Sequence, residues 1–424
     1  MVTPDFPDFT RQAFLQTSFL VIAIIAGLVC FFSLAGQAGA TDNRSKLPAE
    51  SNIAAVLQPF IDRHELAGAV ILVTSKDKVL SLDAVGFADI AAHKQMQTNS
   101  LFWIASMTKP MTATALMMLV DEGKVRLDDP VEKYLPEFKG QMLITEQDDA
   151  HTLLKKPSHP ITVKEILSHT SGLPFLSRIE SKIDMYSLKE VTISYAMTPL
   201  TFEQGTKFAY SNAGINTAGR IIEVVSGMPY EEFMAKRLFK PLGMKDTTFW
   251  PSDLQIKRLA KSYEPNAAKS GLQEIPIGQL SYPLTNRKRG PSPAGGLFST
   301  ATDISIFCRM ILNGGVYEGK RYVSEAAVRQ MTSTQTGNLL DKDKGENGYG
   351  LGWYTSHKAT DGNDAVIPGT CGHGGAYYTN MQLDPQRKLI TIFMVQHAGF
   401  PGDGDKSYEM FKQAAIKKYA DAER

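Results

Sequence analysis

The two ends of the chain carry one kind of pattern and the middle carries another. Near the start, residues 52–64 place Ile53, Val56, Leu57, Phe60 and Ile61 at helical spacing. Two strand-like runs follow between 68 and 89, AVILVTS and VLSLDAVGFA, around the turn Lys76-Asp77-Lys78. Near the end, residues 375–383 and 389–395 read as strands joined by a hairpin turn at Asp384-Pro385-Gln386-Arg387, and 408–419 as an amphipathic helix. From 106 to about 300 the pattern is mostly helical, with long polar connections such as 141–160, a length that suggests a functional loop or a surface excursion. Two strands alone do not make a stable sheet, so the terminal pairs are expected to join each other. The expected fold is α+β: one antiparallel sheet flanked by the N- and C-terminal helices, with a mostly helical second lobe over roughly 106–300. A site would lie in the crevice between them.

Residues 1–40 stand apart. Residues 19–34 are almost wholly apolar (FLVIAIIAGLVCFFSL), and Ala38-Gly39-Ala40 offers a small-x-small pattern for cleavage before Thr41. This reads as a signal peptide, with 41–424 as the mature chain. The stretch before the apolar run has one arginine, Arg11, against Asp5 and Asp8, so an uncleaved anchor using residues 14–34 is the alternative. Either way the protein is expected to be exported, periplasmic or extracellular. Net charge is +1 and no basic run stands out, so nucleic acid is not an expected partner. Three cysteines do not make a disulfide framework, and a Cys308–Cys371 bond is not predicted.

Chemistry concentrates at Ser106-Met107-Thr108-Lys109, at the start of the apolar helix pattern LFWIASMTKPMTATALMMLVDEG. A serine and a lysine three apart share one face of a helix. A hydroxyl needs a neighbouring base to act as a nucleophile, and a partly buried lysine can serve. The helix N-terminus also favours developing negative charge. The alternative reading is a capping serine at an exposed helix start. Tyr210-Ser211-Asn212 is either a turn before a helix or a phenol that relays protons beside an amide that binds a carbonyl. Gly372-His373-Gly374-Gly375 is either a loop entering an edge strand or a place where a ligand approaches a sheet edge. His64-Glu65 lacks a second histidine, and His151, His159 and His169 are too scattered for a metal site. His169 is expected to be structural, near the cleft. Asp361–Asp364 and Asp403–Asp405 read as turns rather than calcium loops, and no cofactor is implied.

The order Ser-x-x-Lys, Tyr-x-Asn and a late residue-x-Gly triplet resembles the serine β-lactamase and penicillin-recognising superfamily, in particular its class C β-lactamase-like branch with esterases and D-aminopeptidases. LSHTSGL (167–173), FEQGTKFAYSN (202–212), KPLGMKDTTF (240–249), AGGLFSTATDIS (294–305) and GYGLGW (348–353) match the family's style. The resemblance implies Ser106 as the acylated nucleophile, with Lys109 and Tyr210 sharing its proton. Asn212 and the triplet His373-Gly374-Gly375 would bind substrate. The backbone N–H groups of Ser106 and Ala376 would form an oxyanion hole. It implies an acyl-serine hydrolase of small esters or amides, including D-amino-acid peptides. The rivals are a β-lactamase or D,D-peptidase, a penicillin-binding sensor with little turnover, and an inactive scaffold. Histidine at 373 stands where true class C β-lactamases have lysine. That departure favours esters and uncharged amides over carboxylate-bearing β-lactams.

Overall fold

The computed structural model describes residues 53–339, 347–356 and 367–420. Residues 1–52, with the apolar run and Ala38-Gly39-Ala40, lie outside the described residues, as do Asp361–Asp364. Among the described residues no helix is long and apolar enough to cross a membrane.

The main sheet has eight strands. In chain order they are β1 (Gly68–Ser75), β2 (Val79–Asp89), β3 (Lys94–Gln95), β4 (Asn347–Tyr349), β5 (Tyr354–Ser356), β6 (Cys371–Gly374), β7 (Asn380–Asp384) and β8 (Leu389–Met394). In space the order is β4-β5-β6-β7-β8-β1-β2-β3, every pair antiparallel. The ends of the chain meet at β1 and β8, where Val70 faces Met394 and Ser75 faces Leu389. The expected α+β sheet built from both ends is therefore the observed one.

Strand β1 is buried along its whole length because both faces are covered. Ala69, Ile71 and Val73 share a core with Phe393, Val395, Phe411 and Ala415, and with Leu57 and Phe60 from the N-terminal helical turns at 53–62. Val70 and Leu72 face the other way, into the large core shared with Ile390, Ile392 and the helical middle. The period of two in the pleat thus sends alternate side chains to the terminal helices and to the lobe. Each fully buried Val, Leu or Ile contributes about 1.5–3 kcal/mol.

Five helices frame this sheet and its site: α1 (Thr108–Asp121), α2 (Leu188–Ala196), α3 (Asn212–Ser226), α4 (Ala301–Leu312) and α5 (Ser407–Tyr419). Helix α4 lies on β1 and β8 from the lobe side, and α5 lies on β8 with the 53–57 turn. Two segments of the lobe are clamped together by a buried ion pair. Arg289 Nε donates to Asp184 at 2.7 Å, while Asp184 also accepts from the Ser281 N–H and hydroxyl.

Several elements differ from the sequence reading. The stretch 375–383 is not one strand. Gly375 turns back on Thr379, and pairing begins at Asn380, while Cys371–Gly374, read as a glycine-rich approach, is itself β6. Residues 348–354 split into the edges of β4 and β5 around the turn Gly350–Trp353. The polar connection 141–160 contains its own hairpin, Leu143–Gln147 with Thr152–Lys155. Within the stretch expected to be mostly helical, Tyr230–Phe233 runs into a π-helical segment, Met234–Phe239. Cys308 and Cys371 are buried free thiols.

Candidate active site

Ser106 sits on a sharp corner. Trp103 ends a short strand, Ala105 takes φ +43°, and a 3₁₀ turn Ala105–Met107 runs straight into α1. An L-residue in this left-handed region costs about 1–2 kcal/mol, so the surroundings must hold it. They do. Thr108 Oγ1 donates to the Ala105 carbonyl at 2.7 Å and accepts from Leu297 N–H, while Ile104 N–H bonds Leu297 O. Ala105 itself is buried with Trp103, Ile277 and Leu280. The corner leaves Ser106 half-exposed at the head of a helix whose next turn is wholly buried.

Lys109, one turn on, has no solvent exposure. Its Nζ lies 2.9 Å from Ser106 Oγ and donates to the Ala294 carbonyl at 2.7 Å. A buried amine of this kind is tolerable only with such partners. The shared face expected from i,i+3 spacing is thus realised as a direct contact.

Tyr210 and Asn212 come from the start of α3. Ser211 is its N-cap. The hydroxyl accepts from Gly214 N–H and donates to Pro174 O, and Ser211 N–H is taken by His169 Nδ1 at 3.1 Å. That capped corner brings the Tyr210 hydroxyl to Ser106. Burial raises the Tyr210 phenol above its ordinary value, and the Ser106 hydroxyl beside it pulls the other way. Lys109 Nζ stands 4.7 Å from the Tyr210 ring centroid. Tyr354 stacks on the same ring at 6.2 Å, and His169 packs at 4.4 Å. Asn212 is nearly buried, and its Oδ1 has no hydrogen-bond partner.

Strand β6 supplies the third side. Gly375 must be glycine, since a Cβ there would lie 2.6 Å from Ile104 O and 2.2 Å from Thr379 Oγ1. This close approach brings the strand against the Ser106 corner. His373 is buried, with Nδ1 2.7 Å from Gly374 O and Nε2 3.1 Å from the Tyr349 hydroxyl. The carbonyl requires Nδ1–H as donor, which leaves Nε2 to accept from Tyr349. Burial pushes the Tyr349 phenol well above its usual value, consistent with a proton-donating hydroxyl.

One cavity of about 280 Å³ is lined by every residue of this set except Lys109, which reaches it through Ser106. Ser106, Tyr210, Asn212, His373, Gly374, Gly375 and Ala376 line it together with Trp103, Phe175, Ile183, Gln279, Ala294 and Gly295. Among the described residues no lysine or arginine lines it. Phe175 and Gln279 line the cavity, and Tyr349 and Tyr354 pack behind His373 and Tyr210; the sequence reading did not assign any of the four. For Tyr349 and Tyr354 a signal was present in the alternation of glycine and aromatic residues in GYGLGWY. His169 is structural as expected, since it ties α3 to the preceding loop.

The chain matches the sequence model of the Beta-lactamase family over residues 53–415. It is 32% identical over 368 residues to an uncharacterized protein of Mycobacterium tuberculosis, covering 81% of this chain and 89% of that one. It is 27% identical over 340 residues to a putative D-alanyl-D-alanine carboxypeptidase of Escherichia coli, covering 75% and 74%. It is 26% identical over 401 residues to the lovastatin esterase of Penicillium rubens, covering 86% and 97%. The solved structure of EstCE1, a hydrolase with promiscuous acyltransferase activity, superposes with a TM-score of 0.71 at 23% identity, covering 86% of this chain and 97% of that one. With its fold, its sequence match and its full-length relatives in agreement, the chain is a member of the beta-lactamase family and an enzyme of the β-lactamase-like hydrolases.

Proposed function

We propose that the protein is an exported serine hydrolase that cleaves small esters or amides through an acyl-Ser106 intermediate. The observation that carries this reading is the 2.9 Å contact between Lys109 Nζ and Ser106 Oγ at a corner whose cavity Tyr210 also lines. In acylation, Ser106 Oγ bonds the substrate carbonyl carbon. Its proton passes to the Lys109–Tyr210 pair and from there to the leaving alcohol or amine as the scissile bond breaks. Tyr210 is held neutral by burial, so it serves as a relay that takes one proton while giving another, not as a standing phenolate. The carbonyl oxygen becomes an oxyanion and is received by the N–H groups of Ser106 and Ala376, donors worth about 2.7–4 kcal/mol each. Water then attacks the acyl group, the pair takes its proton, and Ser106 is released protonated.

The cavity also supports a substrate preference. Among the described residues its walls carry Trp103, Phe175 and Ile183 and no lysine or arginine to pair with a substrate carboxylate. His373 is turned into a bond with Tyr349. Uncharged esters fit this lining better than carboxylate-bearing β-lactams. Asn212 supports a second reading, amide or peptide cleavage, because its unpartnered Oδ1 suits a substrate N–H.

The test is covalent labelling with a fluorophosphonate and, separately, a fluorescent penicillin, followed by mass mapping. We expect a fluorophosphonate adduct on Ser106, none in Ser106→Ala, and faster turnover of an aryl ester than of a cephalosporin. An adduct on another serine overturns the mechanism. Stable penicillin labelling without turnover makes the protein a sensor, and no labelling by either probe makes it a scaffold. Residues 1–40 supply the case for export, and the mature protein should begin at Thr41. Retention of residues 14–34 in a membrane fraction would make them an anchor instead.

A further inference from the structure

The mechanism leaves a set of buried polar side chains behind Lys109 without a task. Lys109 donates to the carbonyl of Ala294, so the position of that carbonyl fixes where the amine points. Ala294 is itself held from behind, since its N–H donates to Asn216 Oδ1 at 3.1 Å. Asn216 lies one turn beyond Asn212 on α3 and is 2% exposed. Its Nδ2 donates to the Tyr195 hydroxyl of α2 at 3.0 Å. The Glu180 carboxyl lies beside that hydroxyl. Glu180 is 9% exposed, takes the Ser177 N–H at 3.0 Å on Oε2, and has an Oε1 that accepts no bond.

Both hydrogen bonds of this series run the same way, Ala294 N–H to Asn216 and Asn216 N–H to Tyr195, whose hydroxyl lies beside Glu180. A one-directional series is cooperative and leaves the Asn216 amide only one orientation, oxygen toward Ala294. Were the amide to flip, its NH₂ would face the Ala294 N–H, and a buried donor would meet a donor. The neighbouring residues of the same stretch are pinned independently. Thr112 Oγ1 donates to Pro293 O and Trp103 Nε1 to Gly295 O, each at 2.7 Å. The Asn216 bond is therefore what sets Ala294 itself.

We propose that Asn216, oriented by Tyr195 and the buried Glu180 carboxyl, is a positioning residue that aims Lys109 at Ser106 through the Ala294 carbonyl. None of the three touches the cavity, so their effect should fall on the rate of acylation and not on substrate binding. The inference rests on the acyl-Ser106 reading given above.

The test compares Tyr195→Phe, Asn216→Leu, Glu180→Gln and Glu180→Leu with the wild type. The readouts are the burst-phase acylation rate on p-nitrophenyl butyrate, the substrate concentration that half-saturates that burst rate, and the pH profile of acylation. Tyr195→Phe removes one oxygen and should slow acylation about tenfold, with the half-saturating concentration within about twofold, the scale of one lost hydrogen bond seen only in the rate. Asn216→Leu should slow it about a hundredfold, because the Ala294 N–H is then left unpaired. Glu180→Gln keeps an acceptor and should lose less than Glu180→Leu. The basic arm of the acylation pH profile should shift in Tyr195→Phe, since the group being aimed is the one that exchanges the proton. Wild-type acylation and an unmoved pH profile in Tyr195→Phe overturn the proposal. So does a defect seen only as a higher half-saturating concentration of the burst with the limiting acylation rate unchanged, or a Glu180→Gln loss as large as that of Glu180→Leu. If the wild type itself forms no adduct at Ser106, the acyl-serine reading fails first, and that failure is seen in the unmutated protein.

Discussion

At the scale of single residues, Asp184 and Arg289 show how closely the cleft wall is tied to its support. Both are buried, and Arg289 also donates to the carbonyls of Leu284 and Phe249, so the guanidinium joins three segments. Removing one partner leaves the other charge in a low-dielectric site, a cost of about 3–5 kcal/mol. Asp184→Ala should lower the urea midpoint by a corresponding amount, and an unchanged midpoint would show that the pair carries no weight. His373 gives a second prediction. In the wild type its ring is committed to Gly374 O and Tyr349, not to a substrate carboxylate. His373→Lys should raise kcat/KM for a carboxylate-bearing cephalosporin relative to a matched ester by about tenfold, the worth of one charge-assisted hydrogen bond. An unmoved ratio would remove residue 373 from the specificity of the site. The motif residues were legible in the sequence because each motif is local: three positions of helix bring Lys109 to Ser106. Asn216 and Phe175 were not. Their roles come from contacts with residues distant in the chain, and nothing in their own neighbourhoods marks them.

At the scale of elements, strand β6 has the narrowest tolerance. Gly372 lies so near β7 that a Cβ would stand 2.3 Å from Met381 O, and Gly375 meets Ile104 O just before the Ser106 corner. Gly375→Ala must therefore push the strand away from α1. We expect it to cut acylation by at least about a hundredfold, since a shift on the order of 1 Å is enough to spoil a reacting geometry. Fluorophosphonate labelling would measure this, and wild-type labelling would mean that the approach is not needed. Helices and paired strands were legible where a period ran long enough, as in β1, β2, α3 and α5. The reading failed where a turn interrupts an apolar run. Residues 375–379 carry strand-like Tyr377 and Tyr378, yet Tyr378 takes φ +61° and Gly375 N–H bonds Thr379 O, a local turn that alternation does not reveal. The π-helical stretch at 234–239 was equally hidden, because its extra residue per turn is a matter of packing and not of composition.

At the scale of the whole molecule, His397 links the end of β8 to the start of β1. Its Nε2 accepts the Ala67 N–H at 3.1 Å, and its ring is 1% exposed. Burial pushes its pKa down to about 4 from the usual 6.5. The unfolded chain therefore takes up this proton first as pH falls. The stability held by the neutral ring is complete above about pH 6.5 and is lost progressively toward pH 4, about 3 kcal/mol in all. Urea unfolding between pH 7 and 4.5 should show that decline, and His397→Gln, which still offers an acceptor to Ala67, should flatten it. A slope unchanged by the substitution would place the acid sensitivity elsewhere. The same seam, where Ser75 faces Leu389, also governs when the protein can exist. Strand β1 acquires its neighbour β8 only after about three hundred further residues, so contact order is high. Until then β1 keeps an open apolar edge of the kind that holdases bind and that aggregates recruit. A chain cut after Pro385 retains every lining residue named above and still should accumulate only as a protease-sensitive species, because it lacks the strand that closes the sheet against β1.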